Sequence, residues 1–330
     1  MDAGHPSQQV AGETEHSMLS VFPPVLSLPI SYDGRTINLT QHTQSTEPPK
    51  SPEFRVVAGD PVKVALDYGT ENGGIRVPFI CAANSSAPGC RYRDHCLTYE
   101  EEFCRRGNLF DTLTMADTPL YPISETGGIF SDRVAVYLGP REDNYKVLDP
   151  IPNLPVVSVP PVRKPGVKGN GSSYSKGKDK STMREMICGA LRVCLDHEYD
   201  RVVIGDFGLG DGFLNPPQEL AEIWRDLLLF DPNLRGQFRS VHFVFIDPLQ
   251  STTQCHRDKL QKVGEDQRAR QAAREGPAST STGRRTQPRS SQPAPTDMEV
   301  FESVFHPDEI KRVREKAASS SSTNMVLSFS

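Results

Sequence analysis

From residue 54 onward, short β-branched and aromatic runs alternate with segments of helical period. Residues 54–57 (FRVV), 77–81 (VPFIC), 133–138 (RVAVYL), 154–159, 201–204 (RVVI) and 241–246 (VHFVFI) read as strands. Between them, 61–68 reads as a short helix, and 98–113 places Phe103, Leu109, Phe110 and Leu113 near helical spacing. Residues 180–197 give the clearest helix, with Met183, Met186, Ile187, Ala190, Leu191 and Cys194 on one face. A helix over 216–229 starts at a proline pair, and 301–316 reads as a closing helix. Strands apolar throughout and separated by helices imply a sheet covered on both faces, an α/β fold of three layers.

Polar, Pro- and Ser-rich stretches interrupt this pattern. Residues 1–50 read as a disordered tail whose single apolar patch, 18–30, is broken by Pro23, Pro24 and Pro29. Residues 163–180 (RKPGVKGNGSSYSKGKDK) read as a flexible basic loop, 256–297 as a disordered insert and 319–330 as a second tail. The folded unit is then 51–255 together with 298–318. A hydrophobic content of 36 % and 28 prolines against 25 glycines agree with a chain only partly able to bury a core. Solvated inserts account for the basic runs more simply than nucleic-acid contacts, since the whole chain carries a net charge of −5.

Seven cysteines form no CxxC pair, and no metal-like spacing is present. Cys81, Cys104, Cys188 and Cys194 sit within apolar patterns as reduced core residues. No stretch reaches the roughly 18–20 apolar residues that span a bilayer. Together with the odd cysteine count, this leads us to expect an intracellular, monomeric protein with no metal or cofactor.

The chemistry concentrates in two places. After the strand 201–204 comes a loop carrying Gly205, Gly208, Gly210 and Gly212, followed by Phe213 and Asn215-Pro216-Pro217. A strand running through glycines into a helix frees backbone N–H groups to cradle a phosphate, although an ordinary glycine-rich turn has the same composition. The spacing matches neither a dinucleotide fingerprint nor a Walker loop. The other place follows the strand ending at Cys81, where Asn84, Pro88, Gly89 and Cys90 lead to Glu100, Glu101 and Glu102. Three carboxylates at a helix start are explained by the helix dipole alone. A catalytic explanation requires one of them to turn inward.

The order of these segments resembles the microbial-type poly(ADP-ribose) glycohydrolase family, whose catalytic core is a macrodomain. The resemblance runs from Phe54 to about Asp247. It is carried by Ala82-Ala83-Asn84, Pro88-Gly89-Cys90, Glu100-Glu101 and the run from Phe103 to Leu109. Thr112-Leu113, Pro119-Leu120-Tyr121-Pro122 and Gly128-Ile129-Phe130-Ser131 with Val136-Tyr137 continue it. It closes with Val203 to Gly210 and then Asn215-Pro216-Pro217. The resemblance implies a macrodomain-like α/β/α sandwich with a mixed, mostly parallel sheet, and hydrolysis of O-glycosidic ADP-ribose bonds. Glu101 would be the acid and Glu100 its neighbour. Asn84, Pro88, Gly89, Cys90, Gly205, Gly208, Gly210, Gly212, Phe213 and Asn215 would hold ADP-ribose or poly(ADP-ribose) on modified proteins.

The departures from the family pattern bear on activity. Of the consecutive glycines in the first loop only Gly89 remains, and a side chain at a left-handed position costs about 1 kcal/mol. Arg91 and Arg93 can replace lost N–H donors. Tyr99 stands where glutamine or proline usually precedes the Glu pair, and Asp206 and Asp211 put carboxylates into the second loop. Two functions follow: a hydrolase with eroded activity, or an inactive module that binds ADP-ribose or serves as a scaffold. A nicotinamide-dependent oxidoreductase fits less well, because the glycine loop comes late and no acid ends a strand about 20 residues on.

Overall fold

The computed structural model describes residues 28–37, 39, 50–89, 98–115, 119–168, 171–275 and 293–327. Cys90, Arg91 and Arg93 lie outside them, as does most of the expected N-terminal tail. The chain runs β1 (Ile30–Asp33), β2 (Glu53–Ala58), α1 (Pro61–Glu71), β3 (Phe79–Ala82), α2 (Tyr99–Arg106), α3 (Leu109–Thr114), β4 (Gly127–Ala135) and β5 (Asn153–Val159). It continues through β6 (Val167–Lys168), β7 (Ser173–Tyr174), α4 (Gly177–Asp196), β8 (Arg201–Ile204), α5 (Gly210–Phe213), α6 (Pro217–Phe230) and β9 (Ser240–Phe245). The last described helices are α7 (Thr252–Glu275), α8 (Asp297–Phe305) and α9 (Pro307–Leu327).

Seven strands form one sheet in the order β1-β4-β5-β3-β8-β9-β2. β5, β3, β8, β9 and β2 are mutually parallel, and β4 is antiparallel to both β1 and β5. Side chains alternate between two apolar layers. Ile80, Val157, Ile204 and Phe243 face the layer of α4, α6 and α8. Phe79, Cys81, Val156 and Val203 face α1, α2 and α3. The architecture is therefore the three-layer α/β/α sandwich with a mixed, mostly parallel sheet.

Several boundaries differ from those the sequence predicts. Ile30–Asp33, within the expected tail, is an edge strand paired with β4 from Ile30↔Phe130 to Asp33↔Gly127. Its Tyr32 ring lies against Gly128, where any β-carbon would collide with it. The helix expected over 98–113 breaks at Gly107-Asn108, because Gly107 packs on the Ala135 carbonyl and Asn108 Oδ1 accepts the Ala135 N–H at 2.7 Å. The strand expected at 133–138 begins earlier, at Gly127. The closing helix is two, split at Pro307, and α8 starts with a capping box between Thr296 and Glu299.

Two segments expected to be unstructured are folded where they are described. The basic loop 163–180 contains the β6–β7 hairpin and the first turn of α4. Residues 252–275, most of them in the expected insert, form α7. That helix is polar almost all round, so no apolar stripe betrays it. Side-chain pairs four residues apart, Gln254–Asp258 at 2.7 Å and Gln261–Glu265 at 2.9 Å, support it instead. Among the described residues no helix is long and apolar enough to cross a membrane.

Candidate functional site

β3 and β8 are neighbours and parallel, with Phe79 opposite Val203 and Ile80 opposite Ile204. The loops that leave their carboxyl ends therefore start about 5 Å apart. The β3 loop leads to α2 on one face of the sheet, and the β8 loop leads to α6 on the other. Loops diverging to opposite faces from adjacent parallel strands open a crevice, the usual ligand position in open α/β sheets.

The first loop is fastened to α2 through Glu100. Its Oε2 accepts the Asn84 N–H at 2.9 Å, and the Gly89 N–H bonds to the same carboxyl. Asn84 uses its own Oδ1 to accept from the Ser86 N–H at 2.8 Å, which fixes the turn. Gly89 has φ +56, so the left-handed conformation explains why glycine stands there. Pro88 is half-buried beside it.

Glu100 and Glu101 are fully buried, whereas Glu102 is half-buried and pairs with Arg105 at 3.4 Å. A helix dipole attracts acids to a first turn but does not bury them. Burial pushes the Glu100 carboxyl up to about 8; the neighbouring Glu101 adds to this, and the Asn84 and Gly89 N–H groups pull the other way. Glu100 is thus mostly protonated at pH 7. Burial also pushes up the nearby Cys81 and Cys104 thiols and the Tyr121 phenol, with the Glu100 charge as a further cause in each.

The second loop is built on two left-handed glycines, Gly208 at φ +76 and Gly210 at φ +72. Gly205 and Gly212 have no such φ, and a β-carbon at Gly212 would meet open space. Asn215 is fully buried, and its amide is committed within the chain. Nδ2 donates to the Val162 carbonyl at 2.7 Å and the Gly208 carbonyl at 2.8 Å, and Oδ1 accepts from Tyr174 Oη at 3.0 Å. Asn215 therefore braces the loop from behind. The Gly210 N–H is likewise engaged, by Thr252 Oγ1 at 2.7 Å, and the Phe213 carbonyl accepts the Lys164 N–H at 2.6 Å.

The two carboxylates of this loop are managed separately. Asp206 accepts the Ile246 N–H at 3.4 Å, and burial, reinforced by Asp297 and Asp247, raises it to about 7. Asp211 is exposed and bonded to Lys259 at 2.5 Å; that bond holds its carboxyl below the usual range, with Lys164 contributing. Neither places an unmitigated negative charge in the crevice.

No protein-family model and no curated protein sequence matches the chain. Solved structures do. The poly(ADP-ribose) glycohydrolase of Thermomonospora curvata matches with a TM-score of 0.60 at 18% identity, covering 76% of this chain and 96% of that one. The same enzyme bound to the inhibitor ADP-HPD gives 0.57 at 18% identity, covering 78% and 99%. A point mutant of that enzyme gives 0.59 at 18% identity, covering 76% and 96%. The fold is that of this glycohydrolase.

Within the glycohydrolase fold, two groups of residues escaped the sequence reading. One moors α2 to α1. Arg106 donates to Asp60 through Nη1 at 2.6 Å and Nη2 at 3.2 Å, and Tyr99 Oη donates to Asp60 at 2.7 Å. Asp60 also caps α1 through the Lys63 N–H. Its position before Pro61, at the start of an apolar-periodic run, was the available signal. The other group is Thr252 and Asp297, which secure Gly210. Asp297 accepts from Thr252 N at 2.8 Å and from Thr252 Oγ1 at 2.7 Å. Thr252 precedes the expected insert and Asp297 is its last residue, so no local pattern marked them.

The buried Glu100 gives a pH-dependent expectation. Its carboxyl titrates near 4.5 when unperturbed and about 8 in the folded chain. The folded state holds the proton more tightly, so the linked stability is fully present below about 4.5 and is lost as pH rises toward 8. Glu100→Gln keeps an acceptor oxygen and removes the titration. Urea unfolding at pH 5, 7 and 9 should show the variant gaining on the wild type between pH 5 and 8, then levelling. A gap that does not change with pH would contradict the burial of this carboxyl.

Proposed function

We propose that the chain binds ADP-ribose in the crevice between the two loops and hydrolyses its O-glycosidic bond. The observation that carries this reading is a buried carboxylate pair, Glu100 and Glu101, of which Glu100 is hydrogen-bonded to a loop that leaves the strand beside the glycine loop. The Thermomonospora enzyme of the same fold is named a poly(ADP-ribose) glycohydrolase and has been solved with ADP-HPD.

In this reading Glu101 is the general acid. It protonates the ribose oxygen that leaves, the glycosidic C–O bond breaks, and positive charge develops at the anomeric carbon. Water adds there and returns a proton to the carboxylate. Glu100, neutral at pH 7, keeps loop 84–89 on α2 and spares Glu101 a like charge beside it. Asn84, Pro88 and Gly89 form one wall of the ADP-ribose site, and the Gly205–Gly208 backbone with Phe213 forms the other. ADP-ribose or its polymer on modified proteins is the substrate.

One observation favours the second reading, binding without turnover. Glu101 has no exposed surface, so a substrate reaches it only after a covering segment moves. The experiment that separates the two is ADP-ribose release from a poly(ADP-ribosyl)ated protein. Release by the wild-type chain supports the hydrolase; tight ADP-ribose binding with no release supports the inactive module.

A further inference from the structure

The hairpin beside the glycine loop concentrates positive charge in a chain that is net negative. Between residues 163 and 180 stand Arg163, Lys164, Lys168, Lys176, Lys178 and Lys180, against the single acid Asp179. The structure divides them into two sets. Lys180 is paired with Glu219 at 2.8 Å and Lys178 with Glu125 at 3.4 Å. Arg163, Lys164, Lys168 and Lys176 are exposed and have no ion pair among the described residues. Asp179 is occupied in accepting the Gly166 N–H at 3.3 Å.

The segment is held in place at both ends and in the middle. Its start lies on the glycine loop through Lys164 N–H to the Phe213 carbonyl at 2.6 Å and Arg163 Nε to the Gly212 carbonyl at 3.3 Å. Ser175 N–H closes the hairpin on the Gly166 carbonyl at 2.8 Å. Tyr174 reaches Asn215 with its hydroxyl at 3.0 Å and Glu219 with its N–H at 2.5 Å. On the far side Gly171 lies against the His256 ring, where a β-carbon would collide. The cations without an ion pair among the described residues thus stand on a backbone that is anchored to the glycine loop at its start. A core-building role cannot explain them, because their side chains are exposed.

We infer that this hairpin is a docking track for the phosphates of a poly(ADP-ribose) strand, beyond the unit held in the crevice. The inference rests on the ADP-ribose reading of that crevice. Each polymer unit carries a pyrophosphate, and a row of cations leading away from the site meets the phosphates of the units next along the strand. Contacts of this kind release counterions, so binding weakens as salt rises. A single ADP-ribose has only the diphosphate that the crevice itself would hold, so Lys168 and Lys176, farther along the hairpin, would meet phosphate only on a longer strand. The track thus selects polymer over monomer.

The test uses the full chain and its double variant Lys168→Gln, Lys176→Gln, whose altered side chains make no hydrogen bond or ion pair among the described residues. Affinities for free ADP-ribose, purified poly(ADP-ribose) and single-stranded RNA of similar length are measured from 50 to 300 mM salt. Polymer affinity should fall about five-fold or more at physiological salt, and the salt slope should flatten by about 1.4, given ~0.7 per phosphate contact on a single strand. Affinity for free ADP-ribose should stay within about two-fold, because one unit does not reach the track. Unchanged polymer affinity, or equal losses for polymer and monomer, would overturn the inference. So would wild-type RNA binding as tight as polymer binding, which would make the hairpin an RNA surface. Failure of the wild-type chain to bind ADP-ribose at all would refute the crevice reading instead, whatever the hairpin does.

Discussion

Glu101→Gln is expected to slow ADP-ribose release from a poly(ADP-ribosyl)ated protein by about 10²–10⁴-fold, the usual contribution of a positioned general acid. Glutamine has nearly the same volume and keeps the buried site filled, but it has no proton to give the leaving oxygen. ADP-ribose affinity should therefore change by only a few-fold, because the proposed site places the diphosphate away from the Glu101 carboxyl. Glu100→Gln should behave differently. Its carboxyl accepts from Asn84 and Gly89, and an amide oxygen can still do so, leaving most of the rate intact. Equal, measurable release by wild type and Glu101→Gln would remove Glu101 from the acid role.

The second large effect concerns the mooring of α2. The Arg106 side chain is 1% exposed and that of Asp60 8%, so their bidentate pair is almost dry. Removing one partner of such a pair costs about 3–5 kcal/mol, chiefly because the other charge is left buried. Arg106→Met should lower the melting temperature by about 10 °C, at roughly 2–4 °C per kcal/mol for a chain of this size. Adding Asp60→Asn to Arg106→Met should recover part of the loss, since no lone charge then remains. The physical content is that α2 presents the Glu pair only while its other end is tied to α1. A loss below about 1 kcal/mol in urea unfolding would show the pair to be dispensable.

How much of this was legible in the sequence depended on whether the cause was local. The strands 201–204 and 241–246 were plain because both faces of the sheet are covered, which forces continuous apolar runs. The placement of both loops at one end of the sheet followed from each loop leaving an apolar strand. The Glu100–Glu101 pair was visible as residues, and its burial was the open question. By contrast, Asp60 meets Arg106 across 46 positions and Thr252 meets Asp297 across 45, and no local pattern marks either pairing. Asn215 was read as a ligand contact through the family resemblance of Asn215-Pro216-Pro217. In the structure its amide bonds to Tyr174, Val162 and Gly208 and braces the loop. Polarity concealed the β6–β7 hairpin and α7, because composition measures apolar burial and these elements are held by hydrogen bonds to the glycine loop.

Everything proposed for this protein depends on the loops after β3 and β8 forming a single ADP-ribose site. A calorimetric titration of the full chain with free ADP-ribose tests it most directly. Gly208→Val serves as the control, because Gly208 is left-handed at φ +76 and a β-carbon there would meet Asn215 Nδ2 at 3.1 Å. The wild-type chain should bind with a dissociation constant in the micromolar range, about −8 kcal/mol, and the variant at least ten-fold more weakly while remaining folded by circular dichroism. No heat from the folded wild-type chain at millimolar ADP-ribose would contradict the account.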